Sequence, residues 1–396
     1  MENTLKQKLK SNIWKFYLFE ICGGMFFEIP IIVLFWMENG LSLTQIMILQ
    51  SIFSVFLILF EIPTGYFADV YGRKKSMLIS GTGLFIGMLT YSLGDNFLEF
   101  LIAEFLFAVG LSFYSGTSSA FIYDTLKDLK QENKYKKIWG NAKFYGLLAL
   151  AVSNVIGGFI GKIDLRLALF MSLPFMFSLI PITMSFTEPR KHKAIVEKGH
   201  ISRLKDTLRF ALIDNIKLRW LIVYAAIVIG FNNAGLWLYQ PYFKLTGIDI
   251  AYFGIIFASF QIVAALSSRY AHKIENKLGQ KHSLIMLVFI VVIGYFLTSK
   301  IIFIFSFVFI YLFQFVRGFS EPVLSDYVNK LTRSDIRATV LSINNLVERI
   351  VYASIIPFIG WIADIYSITQ ALMMTGVSAL VFGAVVLVIL RKDMVI

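Results

Sequence analysis

Polar residues interrupt this chain at intervals, and what lies between them is long and apolar. Twelve apolar runs stand at roughly 13–36, 45–67, 76–94, 97–122, 138–160, 166–186, 218–239, 250–271, 283–299, 301–325, 339–362 and 367–390. A helix of about 20 apolar residues spans a bilayer. The pattern therefore predicts an all-α integral membrane protein of twelve transmembrane helices. The first run is too long for a cleaved signal peptide and lacks a small-residue cleavage site, so it counts as helix 1. The longest polar stretch, residues 187–217, divides six runs from six. The expected organisation is a six-helix bundle over 1–186, a cytosolic linker over 187–217 and a second bundle over 218–396. Within the linker, LKDTLRFAL has the pattern of a short amphipathic helix lying on the membrane surface.

Composition agrees. At 57% hydrophobic residues and a mean hydropathy of +0.72, the chain is too apolar for a soluble protein of this length. A net charge of +12 would suggest nucleic acid in a soluble protein, but its placement encodes orientation instead. With both termini cytosolic, only Lys162, Arg166, Lys244 and Lys300 of the 37 Lys and Arg face outward. Lys15, Lys143, Arg317 and Arg349 sit in or at the edge of spans, and the rest are cytosolic, as the positive-inside rule requires. Trp14, Trp139 and Trp220 fall at inner helix ends and Trp36, Trp237 and Trp361 at outer ends, the expected interfacial belt. The 39 Phe are expected to be mostly lipid-facing. Single Cys22 excludes an intramolecular disulfide. His192, His200, His272 and His282 lie in cytosolic segments, so no metal site is expected.

The most informative segment is EIPTGYFADVYGRKK, residues 61–75, a short charged turn between the second and third runs. Gly65 permits close helix approach and Gly72 a tight turn. Asp69 can accept from the free amides of another helix N-terminus, where an anion is favoured. The spacing Gly65-x-x-x-Asp69-x-x-Gly72-Arg73-Lys74-Lys75 resembles the loop between helices 2 and 3 of the major facilitator superfamily of secondary transporters. SGTSSAFIYDTL, RATVLSINNL and EIPTG resemble a bacterial drug-exporter-like branch. Weak internal similarity supports two repeats: Gly279 follows Gly72 by 207 residues and Asp326 follows Asp124 by 202. The resemblance implies two pseudo-symmetric six-helix bundles with substrate bound between them. It also implies that Asp69 meets the start of helix 11 near Arg337-Ala338-Thr339, with Arg73 bridging Asp69 and Asp124 and Glu61 joining this gate. Departures from the pattern are Val70, the missing acid and Gln280 in the second-half loop, Glu104 where many drug exporters carry Arg, and AVSNVIGGFIG without a Gly-Pro pair.

Ionisable groups inside a span are costly and by default face the protein interior with a role. Helix 1 carries Glu20 and Glu28, eight residues apart and therefore on one broad face. Gly23 and Gly24 between them permit a bend, and Pro30 a break further out. Neither acid has a basic neighbour in its own helix, so both are candidates for proton or cation binding, against packing or a salt bridge with Arg317 or Arg349. Glu104, Gln314, Arg317, Glu321, Asn345 and Glu348 add candidate substrate or proton ligands, with Gln261, Asn344 and Tyr114 near them. Arg317 and Glu321 are four apart and are expected to pair, while Lys143 is read as snorkelling to the interface. Asn232 and Asn233 beside Gly235 suggest a loosened helix with free backbone groups, or else interhelical packing bonds.

No nucleophile constellation, phosphate loop or metal spacing appears, so the chain is not read as an enzyme. The leading expectation is proton-coupled export of lipophilic, often cationic small molecules from the cytoplasmic membrane by a monomer that uses no cofactor beyond the proton. Two alternatives stand beside it: a facilitator or symporter for a specific metabolite such as an organic anion, and a transporter-like sensor or scaffold.

Overall fold

The computed structural model describes residues 2–190 and 200–392. His192 and residues 191–199 of the expected linker lie outside the described residues. The described chain consists of helices joined by short turns: α1 Glu2–Gly23, α2 Ile32–Glu38, α3 Leu43–Tyr71, α4 Arg73–Leu93, α5 Phe97–Ser115, α6 Ser118–Asp128, α7 Tyr135–Ile163 and α8 Leu165–Met184. There follow α9 His200–Arg209, α10 Ile216–Ala234, α11 Tyr239–Leu245, α12 Phe253–Lys300, α13 Ile310–Lys330, α14 Arg337–Ile365 and α15 Ile368–Lys392. Helix α9 covers most of the segment read as amphipathic.

Ten helical stretches among the described residues are long and apolar enough to cross a membrane, against the expected twelve. Two features account for the difference. The eighth and ninth runs are continuous in α12, whose one non-helical residue is Gly279 (φ 74°, ψ 168°). The first run is broken between α1 and α2. Gly279 has the left-handed φ of Gly72 (φ 110°), a conformation that glycine adopts without a Cβ penalty, so the two matched loops share a backbone device.

The chain divides into two compact units. The first comprises Met1–Leu41, Ile52–Ile195 and Asp249–Ala258; the second comprises Ser42–Ser51, Val196–Ile248 and Ser259–Ile396. In the first, α4 packs on α5 and α8, and α1 on α7. In the second, α10 packs on α14, α15 and α13. Small residues make these approaches possible. A Cβ on Gly157 of α7 would lie 1.8 Å from the carbonyl oxygen of Phe27, and one on Gly318 of α13 would lie 2.0 Å from that of Ala264.

Aromatic residues fill the cores more than expected. Phe16, Phe35, Phe100, Phe121, Phe243 and Phe313 are fully buried, not lipid-facing. Trp36, placed in the outer belt by sequence, is buried as well, its ring 5.9 Å from that of Tyr91. Trp14 and Trp361 are exposed, as a belt requires.

Candidate functional site

The break after Gly23 builds the site. Beyond it the helical ladder stops, and residues 24–31 run irregularly to α2. The expected bend at Gly23-Gly24 and break near Pro30 are both present. The stretch is held by a face of α7 made of small residues. A Cβ on Gly24 would lie 2.4 Å from the Gly146 carbonyl. The Ser153 hydroxyl lies 3.3 Å from the Gly24 carbonyl and 3.2 Å from the Phe26 carbonyl. Ser172 of α8 accepts the Phe27 amide at 3.0 Å. The backbone groups freed by unwinding are thus partly satisfied by neighbouring helices, as irregular backbone at membrane depth requires.

Beside the break lies a recess of about 310 Å³, with Phe19, Phe26, Leu84, Leu111, Leu147 and Leu150 among its apolar walls. Its polar groups are Glu20 of α1, Tyr114 of α5 and Lys143 of α7. Tyr114 donates its phenol proton to Glu20 Oε1. Lys143 Nζ donates to Glu20 Oε2 at 3.2 Å and also to the Tyr114 oxygen. The ammonium stands 4.7 Å from the Tyr114 ring centroid and 4.4 Å from that of Trp139. Lys143 therefore does not snorkel. It pairs with Glu20 at 3.2 Å, a partner not among those weighed for this acid, which were a bound proton or cation or else packing or a salt bridge with Arg317 or Arg349. The Glu20 side chain is 7% exposed and that of Lys143 38%, so the base sits at the open side and the acid behind it.

A second acidic cluster lies further along the break. Glu28 is buried and accepts from Ser172 Oγ at 2.6 Å. Among the described residues it has no ion-pair partner. Glu104 of α5 is also buried, and the buried Tyr91 of α4 lies within electrostatic reach of both Glu104 and Glu28. Both acids are buried, as expected of charges within a span, but Glu28 lies in the broken stretch and not on a helix face shared with Glu20, and sequence reasoning missed Tyr91 and Ser172.

In the second unit, α10 ends at Ala234 beside Gly235, as the Asn232-Asn233-Gly235 pattern suggested. Tyr295 donates to the Phe231 carbonyl there at 2.6 Å. Asn232 and Gln314 are buried, and their side-chain carbonyl oxygens have no hydrogen-bond partner among the described residues. Arg317 donates to Gln261 at 2.8 Å and does not pair with Glu321, which is exposed. The i,i+4 spacing permitted that pair, but a neutral side chain on α12 takes the guanidinium instead. Glu348 accepts from Asn344 at 2.5 Å, and Asn345 is exposed.

The loop between α3 and α4 matches its expected geometry in part. Arg73 bridges Asp69 Oδ1 at 2.8 Å and Asp124 Oδ2 at 3.4 Å, and α14 begins at Arg337. Glu61 is exposed. Gly65 lies where two backbones meet, since a Cβ on Gly116 would stand 3.5 Å from the Gly65 Cα, although a Cβ on Gly65 itself would meet nothing within 4 Å. The loop has a further ligand, absent from the sequence reading. Glu188 caps the start of α4, accepting from the Arg73 amide at 2.7 Å and the Lys74 amide at 2.8 Å. A Cβ on Gly72 would lie 2.8 Å from this carboxylate, a second reason for glycine besides its φ. Asn12 exchanges two bonds with the Thr187 backbone and Lys15 donates to the Ser185 carbonyl. Residues 185–188 are thereby strapped across the helix ends. Glu188→Ala should remove about 1–2 kcal/mol of capping and dipole stabilisation. A fall in the thermal unfolding midpoint of detergent-purified protein, smaller for Glu188→Gln, is the check.

At the opposite helix ends, Asp364 of α14 caps the start of α3. It accepts from the Leu43 amide at 3.0 Å, the Thr44 amide at 2.8 Å and the Thr44 hydroxyl at 2.5 Å. Ser42 and Gln45 complete a reciprocal capping box there. Gly360 permits the approach, since a Cβ would lie 2.7 Å from the Leu43 carbonyl. In the first unit Lys162 holds Asp249 at 2.7 Å, and this hydrogen-bonded ammonium keeps the Asp249 carboxyl below the usual carboxylate range.

Comparison with known proteins places these features. A 304-residue stretch is 24% identical to an uncharacterised MFS-type transporter of Methanocaldococcus jannaschii, over 74% of this chain and 75% of that one. Over 295 residues the chain is 26% identical to multidrug resistance protein 2 of Bacillus subtilis, covering 71% and 69%. Among solved structures, the nucleoside transporter NupG matches with a TM-score of 0.79 at 14% identity, over 97% of this chain and 98% of that one. A D-xylose–proton symporter matches at 0.66 and 15%, over 95% and 97%. These structural likenesses establish the fold. The family model of the Major Facilitator Superfamily matches residues 16–354, a span that takes in the broken first helix, the Gly72 turn and its repeat at Gly279, and the chain is a membrane transporter belonging to that superfamily.

Proposed function

We propose that this transporter exports lipophilic cationic small molecules in exchange for protons, by alternating access. The observation that carries the reading is a buried carboxylate, Glu20, at the edge of an aromatic and aliphatic recess, with a cation already held between that carboxylate, the Tyr114 hydroxyl and the Trp139 ring. Such a site offers an organic cation charge neutralisation together with cation–π contact. Glu28 and Glu104, both buried, supply the proton arm: a carboxylate withdrawn from water is one whose charge state matters to the surrounding packing. The likeness to a protein named for multidrug resistance supports the same substrate class. On this reading a monomer with twelve spans works in the cytoplasmic membrane, with both termini in the cytosol and no cofactor. Asp69 closes the cytosolic side on the start of α14 in one of its two states.

A second reading has its own observation. Arg317 is bonded to the neutral Gln261, which leaves a cationic group to hold an organic anion, and the structural neighbours include proteins named for nucleoside and xylose transport.

The test is reconstitution in vesicles with an internal pH dye. Tetraphenylphosphonium should trigger proton movement in the wild type, and Glu28→Gln should abolish it. Uptake of an organic anion with no proton movement would establish the second reading instead.

A further inference from the structure

The Lys143 ammonium has the surroundings that an organic cation would need. It lies 3.2 Å from a Glu20 oxygen, donates to the Tyr114 oxygen, stands 4.4 Å from the Trp139 ring centroid and borders an apolar recess of about 310 Å³. Among the described residues lining the recess, Glu20 is the one carboxylate, and its charge is already balanced by Lys143. A second cation therefore gains charge neutralisation there only by displacing the first. Lys143 can be displaced. Its side chain is over a third exposed, and it rides on a flexible four-carbon stem two turns inside the start of α7. From there the stem can carry the ammonium to the cytosolic interface, which is where long basic side chains otherwise settle. Buried Glu20 has no such freedom.

We infer that Lys143 is a tethered counter-cation of the substrate site: it occupies the cation position when the recess is empty, and a lipophilic organic cation binds Glu20 by expelling it. The inference rests on the cation-export reading and adds to it a resident competitor. The competitor keeps the buried acid neutralised between transport events, so that Glu20 is never left as a lone buried charge. It also sets a threshold for substrates. Ions that cannot cover the Trp139 ring and fill the apolar recess fail to outcompete the lysine, which selects large apolar cations over small hydrated ones.

The experiment is equilibrium binding of tetraphenylphosphonium to the purified full-length protein in lipid nanodiscs. Removing an intramolecular competitor should tighten the apparent affinity, so Lys143→Met is expected to bind at least about tenfold more tightly than wild type. Lys143→Arg retains a tethered cation and should bind within about twofold of wild type, and Glu20→Gln should not bind. A lysine that merely braces the site predicts the opposite order, with the Met variant weakest. Weaker or unchanged binding in Lys143→Met beside normal wild-type binding overturns this inference and leaves the export reading in place. Absence of binding in wild type and in Lys143→Met overturns both. Should the Met variant fold poorly, the wild type decides: saturating tetraphenylphosphonium should speed reductive methylation of Lys143, read by mass spectrometry, and an unchanged rate overturns the inference.

Discussion

Glu20→Gln should reduce transport of lipophilic cations by about 100-fold or more while leaving membrane insertion intact. The amide preserves the size of the side chain and its hydrogen bond from Tyr114, so the recess keeps its shape. What disappears is the one buried carboxylate at the recess. Truncating one side of a buried charge contact between a protein and its ligand costs about 2–5 kcal/mol of binding, and each 1.4 kcal/mol or so is tenfold in an equilibrium constant. Lys143 stays beside Tyr114 and Trp139 with no carboxylate to offset it, and an incoming cation finds no anionic partner there. Initial rates of radiolabelled tetraphenylphosphonium transport in vesicles, normalised to protein, measure this. A rate above a tenth of wild type would refute the assignment of Glu20 as the cation ligand. The contrast with Glu28→Gln sharpens it, since Glu28 bonds Ser172 at a different point of the break. That variant should still bind the cation and lose only the linked proton.

Asp364→Ala should release the start of α3 from α14. Three hydrogen bonds end on this carboxylate, and two of them come from free amides at a helix N-terminus, where an anion is favoured by the macrodipole. Bonds to a charged acceptor are worth about 1.5–3 kcal/mol each when buried and less near water, so the clasp is worth about 1–3 kcal/mol. Its loss should shift a two-state balance roughly 5- to 150-fold. A Ser51→Cys probe in a Cys22→Ser background reports on it, because the Ser51 hydroxyl donates to the Ala353 carbonyl at 2.6 Å and is covered while α3 stays on α14. Labelling by an impermeant maleimide added outside should accelerate in Asp364→Ala and rise less in Asp364→Asn, which keeps a neutral acceptor. Equal labelling rates in all three would show that the cap has no part in the conformational cycle.

How much of the site was legible depended on whether a residue's role is decided by its own neighbours in sequence. The Gly72 turn and the bridge from Arg73 to Asp69 could be read because they lie within one turn of each other. The break in the first helix could be read from Gly23, Gly24 and Pro30. Lys143 could not. Its position near the inner end of a helix is equally that of a snorkelling lysine, and only the packing of α1 on α7 brings it to Glu20, 123 residues away. Arg317 and Glu321 show the converse failure. Their spacing allows a pair, but a competing acceptor from α12 lies closer. Asp364 left one clue unused: like Asp69 it is an acid in the last turn of its helix, and Ser42-x-x-Gln45 marks the helix start it caps.

From residues alone came the membrane character of the protein, its expected orientation, the two-fold repetition of its loops and the acids in its first helix. Transfer free energy, helical period and glycine's backbone freedom are local properties, and they add up along a chain without reference to its folding. The partner of each charge was settled by tertiary structure: Lys143 for Glu20, the Arg73 and Lys74 amides for Glu188, the α3 start for Asp364. Those contacts span 123, about 115 and about 321 residues respectively. A buried charge takes whichever donor the neighbouring helices present, and which helices are neighbours is a property of the packed bundle.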